Sequence, residues 1–376
     1  MRRSVMGGDF VSSGGADGFD VVIVGAGVIG AAIAAAVADG RRSVLVVERA
    51  RAEASGITSR NSGVIHSGLY YPPGSLKARA CIRGQELLYA WCRAHAVAHA
   101  ALGKLVIARG AAELAALEAL AANASRSGAQ GLELVDGAAA LALEPALPRP
   151  DAALRCDRTG IVDPHGLTRS LRGAAERAGA VFAMGTEVTG LRAVAAGIEV
   201  ASGGEAIVAG LLINAAGLEA DRLAATIGVD RFPIYPCRGD YFRLSGARGR
   251  FSRLIYPVRA QGSAGLGVHL TLELDGGVRL GPDAEYVDDR DDLRPRPDKR
   301  AAFHRAAQRL LGPIDPARLR YDSCGIRPKL RPPSEAEERD FVILEEPAGC
   351  VHLLGVESPG LTAALALAEE VAGRLR

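Results

Sequence analysis

The spacing of apolar residues near the start of the chain changes character twice over a short distance. Residues 20–24 form a short run, apolar after Asp20, with the length and composition of a buried strand. Glycines follow at positions 25, 27 and 30, and the alanine-rich residues 29–38 predict a helix that leaves a glycine loop. A turn at Gly40, Arg41 and Arg42 leads to a second apolar run, residues 43–47, which predicts a strand ending on Glu48. The order is β-α-β.

Beyond it, helices are predicted over 76–95 after a Pro-Pro-Gly turn, 165–178, 298–311 and 361–376. Asp163 is placed to cap the second of these, with Pro164 at its first position. Strands are predicted over 104–108, 187–191, 198–201, 206–209, 210–214, 235–244, 253–258, 267–274, 277–281 and 351–354. Asp275, Gly276 and Gly277 supply a hairpin turn. Residues 110–143 read as helix and loop, with Leu114, Leu117 and Leu120 at helical spacing, and Pro145, Pro148 and Pro150 mark a boundary. The strands crowded between 231 and 282 predict an antiparallel sheet, and the charged, proline-rich residues 283–297 a loop.

With 376 residues, 48% hydrophobic and 23% charged, the chain can hold two packed domains. Its 45 basic and 43 acidic residues are spread along the chain, so the net charge of +2 offers no broad basic face for nucleic acid. Six cysteines lie scattered without a C-x-x-C pair, which argues against a zinc site, a redox dithiol or a disulfide framework and fits a reducing cytoplasm. Residues 1–18 mix Arg, Gly, Ser and Asp and read as a mobile tail, not a signal peptide. No apolar run is long enough for a transmembrane segment, which leaves peripheral contact as the one membrane role open.

The glycines divide the work of a dinucleotide site. Gly25 allows the tight turn, Gly27 lets the backbone, with Val28 and Ile29, approach a pyrophosphate, and Gly30 permits close packing of helix on strand. Glu48, with Arg49 beside it, stands about twenty residues after the glycines, where a ribose-binding acid belongs. Residues 56–71, GITSRNSGVIHSGLYY, supply Thr58, Ser59, Arg60, Asn61, Ser62, Gly63 and His66, many of them hydrogen-bond donors suited to phosphate and an isoalloxazine.

Together with NAAG at 214–217, GIRPKL at 325–330 and GVESPGLT at 355–362, this run resembles the D-amino-acid-oxidase-like superfamily of FAD-dependent oxidoreductases. Within it the chain looks most like the L-2-hydroxyglutarate oxidases and dehydrogenases, from about residue 20 to the C-terminus. The resemblance implies an α/β fold: a discontinuous Rossmann-type FAD domain (19–100, 155–228 and 324–376) and a mainly antiparallel α+β substrate domain (101–154 and 229–323). It implies non-covalent FAD, held also by Val188, Ala215, Ala216, Gly217, Gly325, Ser358, Pro359, Gly360, Leu361 and Thr362. It implies a small carboxylate substrate and an electron acceptor, whether oxygen, a quinone or an electron-transfer protein.

Oxidising a hydroxy acid needs a cation for the carboxylate and a base for the hydroxyl proton. The resemblance assigns the cation to Arg327, whose planar fork suits a carboxylate. It offers His269 as base and Tyr256 to position the substrate, with His66 as a rival base or flavin neighbour. Lys77 and Arg79 are further candidates for a second carboxylate, and solvated helix positions in the plainer reading. No histidine has metal-ligand spacing. The chain departs from the hydroxyglutarate enzymes in being shorter before its C-terminal third. Its GIRP form is nearer the amine- and amino-acid-oxidising members, so an amino-acid oxidase, a glycerol-3-phosphate-type dehydrogenase and a non-catalytic FAD-binding protein stay open.

Overall fold

The computed structural model describes residues 18–258 and 267–375. The tail expected over 1–18 lies outside them except for Gly18, which is the first residue of a strand.

Among the described residues the strands form two large sheets and a three-stranded ribbon. In the first sheet Val181–Met184, Val44–Glu48, Gly18–Val24, Glu205–Asn214 and Cys350–Leu354 run parallel, in that spatial order. Strands sandwiched between layers are buried on both faces, and so the second half of Gly18–Val24 and most of Val44–Glu48 are unbroken apolar runs. Helices Val28–Val37 and Pro164–Arg177 and the closing helix Gly360–Gly373 bring Ala31, Ala34, Leu171, Ala364 and Ala368 onto Val21, Ile23 and Val46. Asp163 accepts from the amide of His165, the cap expected from the sequence.

The second sheet has nine strands and is mostly antiparallel. Its spine is the antiparallel pair Tyr235–Leu244 and Leu319–Lys329, with one register shift between Tyr241 and Phe242. Leu254–Pro257 runs parallel to Lys104–Ala108, an exception to the antiparallel expectation. The hairpin at Asp275 is present, with Gly277 O accepting from the Glu273 amide at 2.9 Å. Phe242, Ile255, Leu270 and Leu280 form a core with Phe303 and Leu310 of helix Arg300–Leu311.

Leu319–Lys329 was not expected as a strand, because Arg320, Asp322, Arg327 and Lys329 break its apolar alternation. The boundary drawn at residue 324 falls inside it, so Gly325 and Arg327 are carried by the second sheet. Val181–Met184 and Leu132–Asp136 are likewise additional strands, and the one expected over 187–191 starts only at Gly190.

Helix Leu76–Ala94 packs on the closing helix at Gly84, where a Cβ would stand 2.3 Å from the Thr362 carbonyl oxygen and 2.8 Å from Ala363 Cα. Both neighbours are backbone and cannot swing aside. Gly84→Val is therefore expected to cost about 1–3 kcal/mol, read as a lower urea midpoint at unchanged slope. An unaltered midpoint would mean that the two helices part without strain.

Candidate active site

A cavity lies between the two sheets, lined from the first by Gly25, Gly27, Val28, Ile29, Glu48 and Arg49 and from the second by His269, Gly325, Arg327 and Lys329. At one end the glycine loop sets the geometry. Gly25 has φ +105°, and a Cβ on Gly30 would meet Gly25 O at 1.9 Å, so only glycine lets helix Val28–Val37 press on the loop. That helix starts without a side-chain cap and without an acidic residue in its first turn. Thr58 Oγ1 accepts from Val28 N at 3.0 Å. The Glu48 carboxylate is fixed beside the loop, accepting from Ala26 N and Ala50 N, both at 2.8 Å. An open, positive helix end next to a fixed acid suits the diphosphate and ribose of a dinucleotide.

The closing helix offers a second such end. Its first turn carries no acid and no side-chain cap, and Ser358, Pro359, Gly360 and Leu361 line the cavity. Thr58, Arg60, Asn61, Ser62, His66, Ala215, Ala216 and Gly217 line it too. Six residues expected at the site do not. Gly30 packs inside its helix. The Ser59 hydroxyl donates within its own turn to Gly56 O at 2.9 Å. Gly63 is tied to Asn61 and Val162. Thr362 Oγ1 accepts from His66 N at 3.0 Å and donates to Val64 O at 3.2 Å, holding the backbone that presents His66. Val188 packs among Val22, Val24, Leu45 and Val47 on the sheet. Tyr256 is fully buried behind His269, its ring stacked on the imidazole at 3.8 Å. It can orient that ring but cannot touch a substrate.

At the far end of the cavity Arg327 stands where a side chain at position 239 would block it: a Cβ there would lie 2.6 Å from Arg327 Nη2, so Gly239 makes room for the guanidinium. Arg327 donates to the carbonyls of Cys237, Arg238 and Asp283. Burial opposes its charge, but the carboxylates of Glu357 and Asp283 favour it. Lys77 and Lys329 both grip Glu357, at 3.1 and 2.9 Å. Burial alone would raise the Glu357 carboxyl, and Lys77, Lys329 and Arg327 instead hold it down at about 2. Lys77 is thus a buried cavity residue, while Arg79 is exposed and reaches back to Gly74 O, away from the site.

The imidazoles are both kept neutral. His269 titrates at about 3 because burial disfavours its charge and Lys104 and Arg327 add to that. Its Nδ1 lies 2.8 Å from Gly267 O, which can only accept, so the proton sits on Nδ1 and Nε2 keeps a free lone pair. His66 is also lowered to about 3, by burial, Lys104 and His269. Its Nε2 lies 3.3 Å from Ser358 Oγ. Gly239, Lys329, Glu357 and the cavity-lining Tyr70, Tyr71 and Tyr241 were not anticipated. The one visible signal was a pair of lysines and a glutamate set in otherwise apolar or glycine-rich motifs.

Glu48→Ala is expected to weaken FAD binding to the apoprotein about tenfold or more, since a charged acceptor is lost. Fluorescence quenching on titration with FAD reads this directly, and an unchanged affinity would remove Glu48 from the site.

Among the described residues, no helix is long and apolar enough to cross a membrane, no cluster of acid, His and Cys could hold a metal, and all six cysteines are free and buried. Residues 20–374 match the family described as FAD dependent oxidoreductase. The L-2-hydroxyglutarate dehydrogenase of Arabidopsis thaliana mitochondria is 34% identical over 94% of this chain and 83% of its own length. Its Escherichia coli K12 counterpart is 33% identical over 74% of this chain and 67% of its own. Among solved structures, the FAD-bound L-alpha-glycerophosphate oxidase of Mycoplasma pneumoniae superposes with a TM-score of 0.86 at 27% identity, covering 95% of this chain and 94% of that one. Geobacillus kaustophilus glycine oxidase, at 21% identity, shares the fold with a TM-score of 0.80 over 94% of this chain and 93% of that one. From the glycine loop to the closing helix, this chain belongs to the DAO family of FAD-dependent oxidoreductases.

Proposed function

We propose that the enzyme oxidises an L-2-hydroxy acid to the 2-oxo acid, with L-2-hydroxyglutarate as its substrate. One arrangement carries the reading: Arg327, Lys77 and Lys329 gather around the buried carboxylate of Glu357, with Glu338 as a second partner of Lys329, beside an imidazole with a free lone pair. Such an end suits a molecule with two carboxylates. The relatives of Arabidopsis thaliana and Escherichia coli that bear this activity in their names support the choice.

FAD, once bound, accepts the two electrons released by the substrate. Arg327 holds the carboxylate next to the reacting carbon. His269 Nε2 takes the hydroxyl proton, and His66 with Ser358 lines the same space. Tyr70, Tyr71 and Tyr241 supply aromatic walls to the same space. The reduced cofactor then needs an acceptor: oxygen, a quinone or an electron-transfer protein. Buried free thiols support a reducing compartment such as the cytoplasm, with contact to a membrane surface where the acceptor is a quinone.

A glycerol-3-phosphate reaction is the second reading, favoured by the likeness to the Mycoplasma pneumoniae oxidase, because the same cations would take a phosphate. Anaerobic mixing with L- and D-2-hydroxy acids, amino acids and glycerol 3-phosphate separates the readings. Bleaching of the flavin band by L-2-hydroxyglutarate is expected, and bleaching by glycerol 3-phosphate or an amino acid alone would replace the substrate. His269→Gln should slow bleaching by about 10²–10⁴-fold, and a larger loss in His66→Gln would move the base there. A base must be unprotonated, so activity is lost as pH falls through its pKa. With both imidazoles near 3, kcat/KM should stay level down to about pH 5, whereas an ordinary histidine would already have lost activity near pH 6.5.

A further inference from the structure

Only four of the 45 basic residues are lysine, and three of them have carboxylate partners. Lys77 and Lys329 share Glu357, and Lys299 bridges Asp240, Asp283 and Glu285. Lys104 is the exception. It is fully buried in strand Lys104–Ala108, and its Nζ has no hydrogen-bond partner among the described residues. The Nζ instead stands 5.1 Å from the Tyr70 ring centroid and 4.7 Å from that of Tyr256. A buried ammonium without an acceptor is disfavoured, and burial accordingly pulls the Lys104 amine below its ordinary range. Two aromatic faces offset part of that penalty through their quadrupoles, and they do so only for a cation.

The lysine lies one ring behind the cavity wall. Tyr70 lines the cavity itself, and Tyr256 stacks on His269 at 3.8 Å. We propose that Lys104 is a positioning residue of the active site: its ammonium braces the Tyr70 and Tyr256 rings and sets a fixed positive charge behind the His269 base. This inference rests on the reading of an imidazole as base. The charge discourages a proton on either imidazole.

The other titratable groups near Lys104 carry no charge to cancel it. Cys156, opposite it on Ala152–Cys156, is pushed up by burial to about 11, and Cys81 on Leu76–Ala94 to about 12. Burial also raises Tyr256. On the cavity side His269 faces Arg327 as well as Lys104, and His66 faces Lys104 and His269. Arginine at 327 therefore adds to the field, and nothing acidic faces Lys104 among these groups.

The test has two arms on the FAD-loaded enzyme. Labelling lysine Cε with ¹³C gives four signals to follow against pH in the unsubstituted protein, and Lys104 is expected to be charged at pH 7. A Lys104 signal that titrates below about pH 7 overturns the proposal without any variant. In Lys104→Met the His269 and His66 ring signals and the acid limb of the bleaching rate should move up by about one pH unit, the direction for a lost positive neighbour. Unmoved imidazoles in a folded, flavin-loaded variant also overturn it. If those shifts appear while His269→Gln and His66→Gln retain full rate, the base assignment fails and the role of Lys104 as a fixed charge stands.

Discussion

Everything at the Arg327 end of the cavity is referred to one buried carboxylate. Glu357 lies just before the closing helix of the first sheet, Lys77 sits in the opening turn of Leu76–Ala94, and Lys329 is the last residue of the long strand in the second sheet. Three elements distant in sequence meet at one charge. A lone buried carboxylate would be expelled or protonated, and a lone buried lysine equally so. Each element is thus held in place by the other two, and the cavity keeps its shape because moving one wall would strand a charge.

The same balance sets the electrostatic character of the site. Arg327, Lys77, Lys329 and Lys104 lie around or just behind a space that also contains two imidazoles. Positive surroundings and burial act in the same direction on a histidine, and both His66 and His269 are left neutral. The positive surroundings that would draw in an anion are thus the same ones that keep both imidazoles unprotonated.

The dinucleotide end was legible in the sequence because its determinants are local. Gly25, Gly30 and Glu48 do their work within one β-α-β unit, and spacing alone identifies them. The Arg327 end was less so. Leu319–Lys329 is hidden by the charges it carries, and Tyr256 looked like a substrate contact because position on a strand does not reveal which residue stands in front. Lys104 could have been noticed: a lysine inside the apolar run of a strand is a conflict between local pattern and burial. What no pattern reveals is that Gly239, in a different strand, clears the space for Arg327. That relation exists only once the two strands are paired.

The parallel core of the first sheet is assembled from strands near residues 20, 45, 182, 210 and 352, and its last strand runs on to the helix that closes the cofactor cavity. A ribosome makes those pieces in order, with the second sheet emerging in between. Until the final few dozen residues appear, the first sheet lacks Cys350–Leu354 and the cavity lacks Glu357 and Ser358. A chain that has not yet reached these residues therefore carries an open edge on its first sheet and a Lys77 without its carboxylate.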